Sequence, residues 1–281
     1  MKFYKYQGAG NDFLIADNRD GSIVLTTEQI ASLCDRRYGV GADGLMLLDA
    51  PMAGGDVDFC MTYYNSDGSG GMMCGNGGRC IVAFAADMGI TDFRFHAADG
   101  YHRAEVLSIE DHTKTVRLLM KDVRSYEYHE CLDGVSVPSD GYFLDTGTRH
   151  YVRIVEGVDS YDVVREGRDI RYNASELQPI GANVNFIESS DKGVLKVRTY
   201  EKGVEDETFA CGTGIVASCI AAYKAGIMPT ESLCNSVSYD VMAKRDFLKV
   251  SFRPMEVSDG VAEEVYLTGP ATFVAEVEVR L

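Results

Sequence analysis

Along much of the chain apolar side chains alternate with polar ones, the period of a strand with one buried face. In VLKVRTY, from Val194 to Tyr200, Leu195 and Val197 alternate with Lys196 and Arg198. From Phe273 to Val279, Phe273, Ala275, Val277 and Val279 alternate with Glu276 and Glu278, and Val274 breaks the pattern. Both runs predict half-buried strands. Helical patterning is rarer. Thr27 to Arg36 follows a Ser/Thr-type cap, and two Ala-rich apolar runs follow Cys74 and Cys211. Those two end at Gly89 and Gly226, where a helix stop is expected. The elements together predict an α+β protein, rich in strands, with few helices.

The two Ala-rich runs are copies of one pattern. MMCGNGGRCIVAFAADMGI (Met72–Ile90) and FACGTGIVASCIAAYKAGI (Phe209–Ile227) each carry Cys-Gly-x-Gly, an apolar run and Gly-Ile. Each spans 15 residues from cysteine to final glycine, and the two cysteines lie 137 residues apart. A strand-like segment precedes each: DFCMTYYN (58–65) and VLKVRTYE (194–201). The matched segments predict two homologous halves facing each other across a cleft.

Charge narrows the choice of partner. Lys and Arg number 27 against 43 Asp and Glu, a formal charge of −16, which argues against nucleic acid or an anionic membrane surface. No stretch approaches the roughly 18 uninterrupted apolar residues of a membrane helix. The opening MKFYKYQGAGNDF lacks the apolar core of a signal peptide. Of the eight cysteines, Cys60, Cys80 and Cys219 lie inside apolar runs, which suits free buried thiols rather than a disulfide framework. A reduced, cytoplasmic protein is expected.

A cysteine at a helix start has particular chemistry. The first-turn N–H groups lack partners inside the helix, and with the helix dipole they favour an anion. That anion can be a bound carboxylate or the cysteine thiolate, whose pKa falls in such a place. Gly75, Gly77, Gly212 and Gly214 keep side chains away from the main chain. Two such starts aimed at one small carboxylate would set a thiolate base and a thiol acid on opposite faces of a carbon. The result is inversion at an α-carbon with no external cofactor.

Other chemistry fits less well. Zinc or a redox dithiol favours Cys-x-x-Cys, but the spacings here are Cys74-x5-Cys80 and Cys211-x7-Cys219, and no metal site is expected. Hydrolysis by one cysteine and one histidine leaves the second copy unexplained. Gly39–Gly44 matches G-x-G-x-x-G, but the apolar run LMLL (45–48) follows it where a dinucleotide-binding loop would open a helix, so a turn is expected.

Several segments in fixed order extend the picture: GAGNDF (8–13), DRRYGVGADG (35–44), YYNSDGS (63–69), CGNGGRC (74–80), GANVNF (181–186) and YEKGVEDETFACGTG (200–214). Over nearly its whole length the chain resembles the diaminopimelate epimerase family. The resemblance implies a pyridoxal-independent isomerase that interconverts LL- and meso-diaminopimelate, for lysine and peptidoglycan precursors, usually as a homodimer. It implies two pseudo-symmetric domains, each with strands around a central helix. The expected halves are residues 1–120, joined by a returning segment 270–281, and residues 121–269.

Residue by residue, the resemblance makes Cys74 and Cys211 the acid/base pair, the first as proton donor and the second as acceptor in one direction. It makes Gly75, Asn76, Gly212 and Thr213 the donors to the substrate carboxylate at the reacting carbon. Asn11, Asn65 and Asn183 match substrate-binding amides. Glu201 matches an acid that meets an ammonium group and tunes a cysteine, and His150 a histidine near the cysteines with a similar tuning role, so the resemblance counts both among the catalytic residues. Two positions depart from the family pattern. Thr148 stands where an asparagine is usual, and Lys202 stands where an arginine is usual, which replaces a planar fork by a point charge. By the resemblance both handle the far carboxylate, and neighbouring Arg149 is a candidate to assist. A proline or hydroxyproline racemase, an inactive amino-acid-binding protein and a redox switch are the competing readings. Retention of both cysteines with Asn65, Asn183 and Glu201 favours the epimerase.

Overall fold

The computed structural model describes residues 1–52, 54–71, 73–190, 192–255 and 260–280. Met72, which opens the first repeat, and Leu281, which closes the returning segment, lie outside them. Two compact units divide the chain: Met1–Leu119 with Thr268–Leu281, and Met120–Leu267.

The first unit begins with β1 (Lys2–Gly8), β2 (Asn11–Asn18), α1 (Thr27–Cys34), β3 (Gly44–Asp49) and β4 (Phe59–Asn65). It continues with α2 (Gly75–Asp87), β5 (Phe93–Ala97), β6 (Gly100–Glu110) and β7 (Thr113–Leu119). The second holds β8 (Tyr126–His129), β9 (Gly141–Asp145), β10 (Arg149–Ile154), α3 (Val163–Asn173), β11 (Asn183–Ser189) and β12 (Leu195–Glu201). It then holds β13 (Asp206–Thr208), α4 (Gly212–Lys224), β14 (Glu231–Leu233), β15 (Ser236–Met242) and β16 (Phe247–Pro254). The long strand β17 (Ala262–Glu278) starts in the second unit and ends in the first.

In the first unit the strands close on themselves. Each of β1 to β7 pairs with the next, and β17 pairs with both β7 and β1. The β2–β3 and β4–β5 pairs are parallel and the rest antiparallel. Closure leaves no open edge in the ring. Helix α2 packs against β1, β2, β3, β6 and β7, and every residue from Gly75 to Ala85 is buried. Ile81, Val82 and Phe84 contribute roughly 1.5–3 kcal/mol each by that burial. Small residues let the helix fit: a Cβ on Gly78 would stand 2.7 Å from Leu118 Cδ2. Strands β2 and β3 carry unbroken apolar runs at their centres, FLIA and LMLL, because both of their faces are covered there. Leu14, Leu45 and Leu47 pack on the Ile30, Leu33 and Cys34 side of α1, while Phe13 and Met46 face Gly77 of α2.

The second unit repeats this order. Its sequence of pairs, β8–β9–β10–β11–β12–β15–β16, is parallel at β10–β11 and β12–β15 and antiparallel elsewhere. That matches β17–β1–β2–β3–β4–β5–β6 step for step. Helix α4 takes the place of α2, packing against β9 to β12 and β16. Helix α3 takes the place of α1, with Val163 and Ile170 against Tyr151, Val184, Phe186 and Tyr200. The fold is thus α+β with two pseudo-symmetric, strand-rich halves. Among the described residues no helix is long and apolar enough to cross a membrane.

The helix signals behave as read, with one adjustment. Thr26 caps α1 in a capping box with Gln29, but α1 ends at Cys34 rather than at Arg36. There Asp35 turns extended and its carboxylate accepts the N–H groups of Arg37 and Tyr38, both at 2.7 Å. Both repeat helices end alike. Gly89 and Gly226 take φ of 83° and 78°. Ile90 N–H bonds Ala85 O at 3.0 Å and Ile227 N–H bonds Ala222 O at 2.9 Å, a matching pair of Schellman stops. Residues 39–43 form a non-helical bend that feeds β3 at Gly44.

Because β17 closes the ring, deleting Thr268–Leu281 should expose the facing edges of β1 and β7 and unfold the first unit. Hydrogen exchange reads this directly. The expected result is loss of protection at amides in Lys2–Gly8 and Thr113–Leu119, and retained protection there would refute the dependence.

Candidate functional site

Cys74 is the N-cap of α2, and its Sγ accepts the N–H of Gly77 at 3.2 Å. Beside it stands a chain of fixed amides. The fully buried Arg79 donates to Gly75 O at 3.1 Å, to Asn76 Oδ1 at 2.9 Å and to Pro270 O at 3.4 Å. Asn76 Nδ2 donates to Asn11 Oδ1 at 2.7 Å, and Asn11 Nδ2 donates to Asp43 Oδ2 at 2.8 Å. Arg36 donates from Nη2 to Asp43 Oδ1 and Asp12 Oδ1, both at 2.6 Å, and Lys5 Nζ lies 2.8 Å from Asp12 Oδ2. Burial would raise the Asp12 carboxyl, but Arg36 and Lys5 together hold it below its ordinary value. A cation at one end and a carboxylate at the other fix which way both amides face. The residues Asn11, Cys74, Gly75 and Asn76 therefore come together in this unit. Asn65, at the end of β4, turns its amide to its own loop, donating to Ser69 Oγ at 3.0 Å.

In the second unit Cys211 is the N-cap of α4 and is 9% exposed. Its Sγ lies 3.5 Å from Thr213 Oγ1. Thr213 Oγ1 is 3.0 Å from His150 Nε2, and Thr148 Oγ1 is 2.9 Å from the same nitrogen and 3.0 Å from Thr213 Oγ1. On the other side of the ring, Asn185 Nδ2 donates to His150 Nδ1 at 3.1 Å, while Thr199 Oγ1 donates to Asn185 Oδ1 at 2.9 Å. With Nδ1 accepting, Nε2 carries the proton and donates toward the two threonines. His150 is fully buried in its strand rather than exposed, and that burial lowers its pKa from 6.5 to about 3. His150 is thus linked to Cys211 through Thr213. Gly214 permits this packing, since a Cβ there would stand 2.4 Å from Asn185 Oδ1.

The remaining expected residues cluster where β12 ends. Glu201 Oε2 accepts from Thr208 Oγ1 at 2.7 Å. Asn183 acts as a staple: its Nδ2 donates to Arg149 O at 3.1 Å and its Oδ1 accepts the N–H of Lys202 at 2.8 Å. Lys202 itself is exposed. The Arg149 guanidinium lies 4.9 Å over the Phe143 ring and donates to Leu177 O at 3.1 Å, so it is engaged within its own unit.

Burial sorts the cysteines. It pushes the Cys34 thiol to about 11 and those of Cys80 and Cys219 upward as well, leaving all three as thiols near neutrality. Among the described residues, only Cys74 and Cys211 of the cysteines stand at helix starts. Among the described residues no group of three His, Cys, Asp or Glu side chains is arranged to hold a metal ion.

Sequence reasoning missed Asn185, Asp43 and Arg36, and it did not foresee the bonds of Thr148 to His150 and Thr213. The signal for Asp43 and Arg36 was present, as charges within the Gly-rich stretch DRRYGVGADG. Asn185 carried a weaker one, a polar residue set between the apolar Val184 and Phe186.

A family model described as diaminopimelate epimerase matches residues 3–124 and 142–245. A diaminopimelate epimerase of Flavobacterium psychrophilum is 40% identical over 283 residues, covering 99% of this chain and 100% of its own. One of Chlorobaculum tepidum is 41% identical over 272 residues, covering 95% and 96%. Among solved structures, a phenazine biosynthesis protein of the PhzF family from Bacillus anthracis superposes with a TM-score of 0.72 at 15% identity, covering 100% of this chain and 99% of its own. A hydroxyproline epimerase of Agrobacterium vitis superposes with a TM-score of 0.67 at 16% identity, covering 99% and 91%. At those identities the two structures share the fold with this chain.

The buried His150 has a measurable consequence. The unfolded chain binds a proton at this residue near pH 6.5, whereas the folded one does so only near pH 3. Its contribution therefore favours folding least at low pH, and stability declines as pH falls from about 6.5 toward 3. Through pH 5–8 the ring signals of His150 should not titrate in an NMR experiment. A midpoint near 6.5 would contradict the buried, neutral assignment.

Proposed function

The chain belongs to the diaminopimelate epimerase family, and from that premise we propose that it interconverts LL- and meso-diaminopimelate with two cysteines as acid and base. It is an isomerase. The observation that carries the mechanism is the duplicated cysteine N-cap on a helix buried among strands.

The reaction needs both helix starts to face one α-carbon. The substrate carboxylate takes N–H donors from the first turns, at Gly75 and Asn76 and at Gly212 and Thr213. As the Cα–H bond breaks, charge moves onto that carboxylate, where helix-start donors stabilise it more than in the ground state. The Cys211 thiolate takes the α-proton and becomes a thiol. The Cys74 thiol delivers its proton to the opposite face and becomes a thiolate. The reverse direction exchanges the roles. Thr213 Oγ1, oriented by His150 and Thr148, holds the Cys211 sulfur, which makes His150 a positioning residue. The amide chain from Arg79 to Asp43 holds Asn76 and Asn11 for the substrate in the same way. Glu201 is assigned to an ammonium group and exposed Lys202 to the far carboxylate. The same reading gives a cytoplasmic homodimer without pyridoxal phosphate, in lysine and peptidoglycan precursor supply.

Purified protein should epimerise LL-diaminopimelate and leave proline unchanged. Cys74→Ala and Cys211→Ala should each lower kcat by at least about 10²–10⁴, the usual contribution of a positioned acid or base. Full activity in either variant would remove that cysteine from the mechanism.

Isotope flow separates two bases from one. In deuterated water, product formed early should carry solvent deuterium at the inverted carbon while unreacted substrate stays protonated. Early product that keeps the substrate's hydrogen would mean one base returning the same proton.

A further inference from the structure

The turn between β12 and β13 carries Lys202 and follows Glu201, so its geometry decides where both point. Its backbone is tied at three N–H groups, those of Lys202, Gly203 and Glu205. Asn183 Oδ1 accepts the Lys202 N–H at 2.8 Å. Glu205 folds back so that its N–H bonds Glu201 O at 2.8 Å and its Oε1 accepts the Gly203 N–H at 3.0 Å. Glu205 takes a φ of 60°, a left-handed conformation that a residue with a side chain holds only under constraint. The constraint is Arg171 of α3. Its Nε lies 2.9 Å from Glu205 Oε2 and its Nη2 lies 2.7 Å from Oε1, a two-pronged pair, and Tyr200 donates its hydroxyl to Oε2 at 3.1 Å. Arg171 is itself seated over the Tyr172 ring at 4.9 Å, and its side chain is 12% exposed.

We propose that the Arg171–Glu205 pair is a specificity-determining clamp that fixes the turn beneath Lys202, so that a single ammonium can meet the far carboxylate of the substrate. The inference rests on the epimerase reading, with Lys202 as the distal contact. A lysine reaches its ligand as a flexible point charge, without the two parallel bonds of a guanidinium. Precision absent from the side chain is supplied by the backbone from which it starts. Glu205 touches no substrate in this scheme and acts only through the turn. The strong pairing agrees with this: Arg171 first, and then the Gly203 N–H, bring the Glu205 carboxyl from 4.5 to about 2.

The test is a double-mutant cycle on Glu205→Gln and Lys202→Ala, read in KM and kcat for diaminopimelate. Glu205→Gln alone should raise KM about three- to tenfold, the scale of one hydrogen bond, with kcat little changed. In its background Lys202→Ala should lose most of its effect, because an unanchored ammonium contributes little; this coupling distinguishes positioning from general support of the fold. Should Glu205→Gln not fold, Arg171→Lys replaces it in the cycle, keeping charge while removing the fork. Additive effects on KM, or no effect of Lys202→Ala by itself, would overturn the clamp. Failure of the unaltered protein to turn over diaminopimelate would instead sink the proposed function.

Discussion

The structure of the first unit depends on enclosing a helix inside a closed ring of strands. That space admits only a narrow helix, which accounts for the Gly, Ala and Cys content of α2 and for its burial from Gly75 to Ala85. It also decides where chemistry can occur. The body of α2 is packed on all sides, so its polar capacity is concentrated at the end where N–H groups lack intrahelical partners. A cysteine at that end receives an N–H on its sulfur, while Cys80, about one and two-thirds turns further in, is a packing residue with a raised pKa. One side-chain type thus has two characters within six residues, and position alone separates them.

Charge handling follows the same logic. Arg79 is buried with its guanidinium donating to Gly75 O, Asn76 Oδ1 and Pro270 O. Those bonds tie the helix start to the strand that completes the ring, and they set the direction of the Asn76 and Asn11 amides. In the second unit the corresponding order comes from neutral groups: Thr199, Asn185, His150 and Thr213 in series. A charged histidine there would sit among hydroxyls and an amide with no carboxylate among these bonded partners, and burial accordingly keeps it neutral.

Much of this was legible in the chain. Period-two alternation marks the strands, and Cys-Gly-x-Gly with Gly-Ile at one fixed offset marks both helices, because caps and stops are local chemistry. The paired arrangement of α1 with α3, and the parallel pairs β2–β3 and β10–β11, were not legible. An apolar run such as LMLL states that it is covered on both faces, without saying by which neighbour. Side-chain partnerships were hidden for a related reason. Thr148 reads as a departure from a family pattern, but its hydroxyl is fixed by His150 and Thr213, which lie two and sixty-five residues away. Asn185 and Glu205 act through partners that only folding brings near. Reading a resemblance residue by residue finds the groups that a family shares and passes over those that hold them in place.

Strand β17 gives the chain an order of assembly. Its last residues complete a ring whose other members begin at Lys2, so every residue through the end of β17 must leave the ribosome before the first unit can close. The second unit, Met120–Leu267, has no such dependence and is available to collapse while the first still waits with two unpaired edges. Contacts of this sequence separation form slowly, because closing a long loop comes before any reward from pairing. The first unit is therefore begun before the second and completed after it.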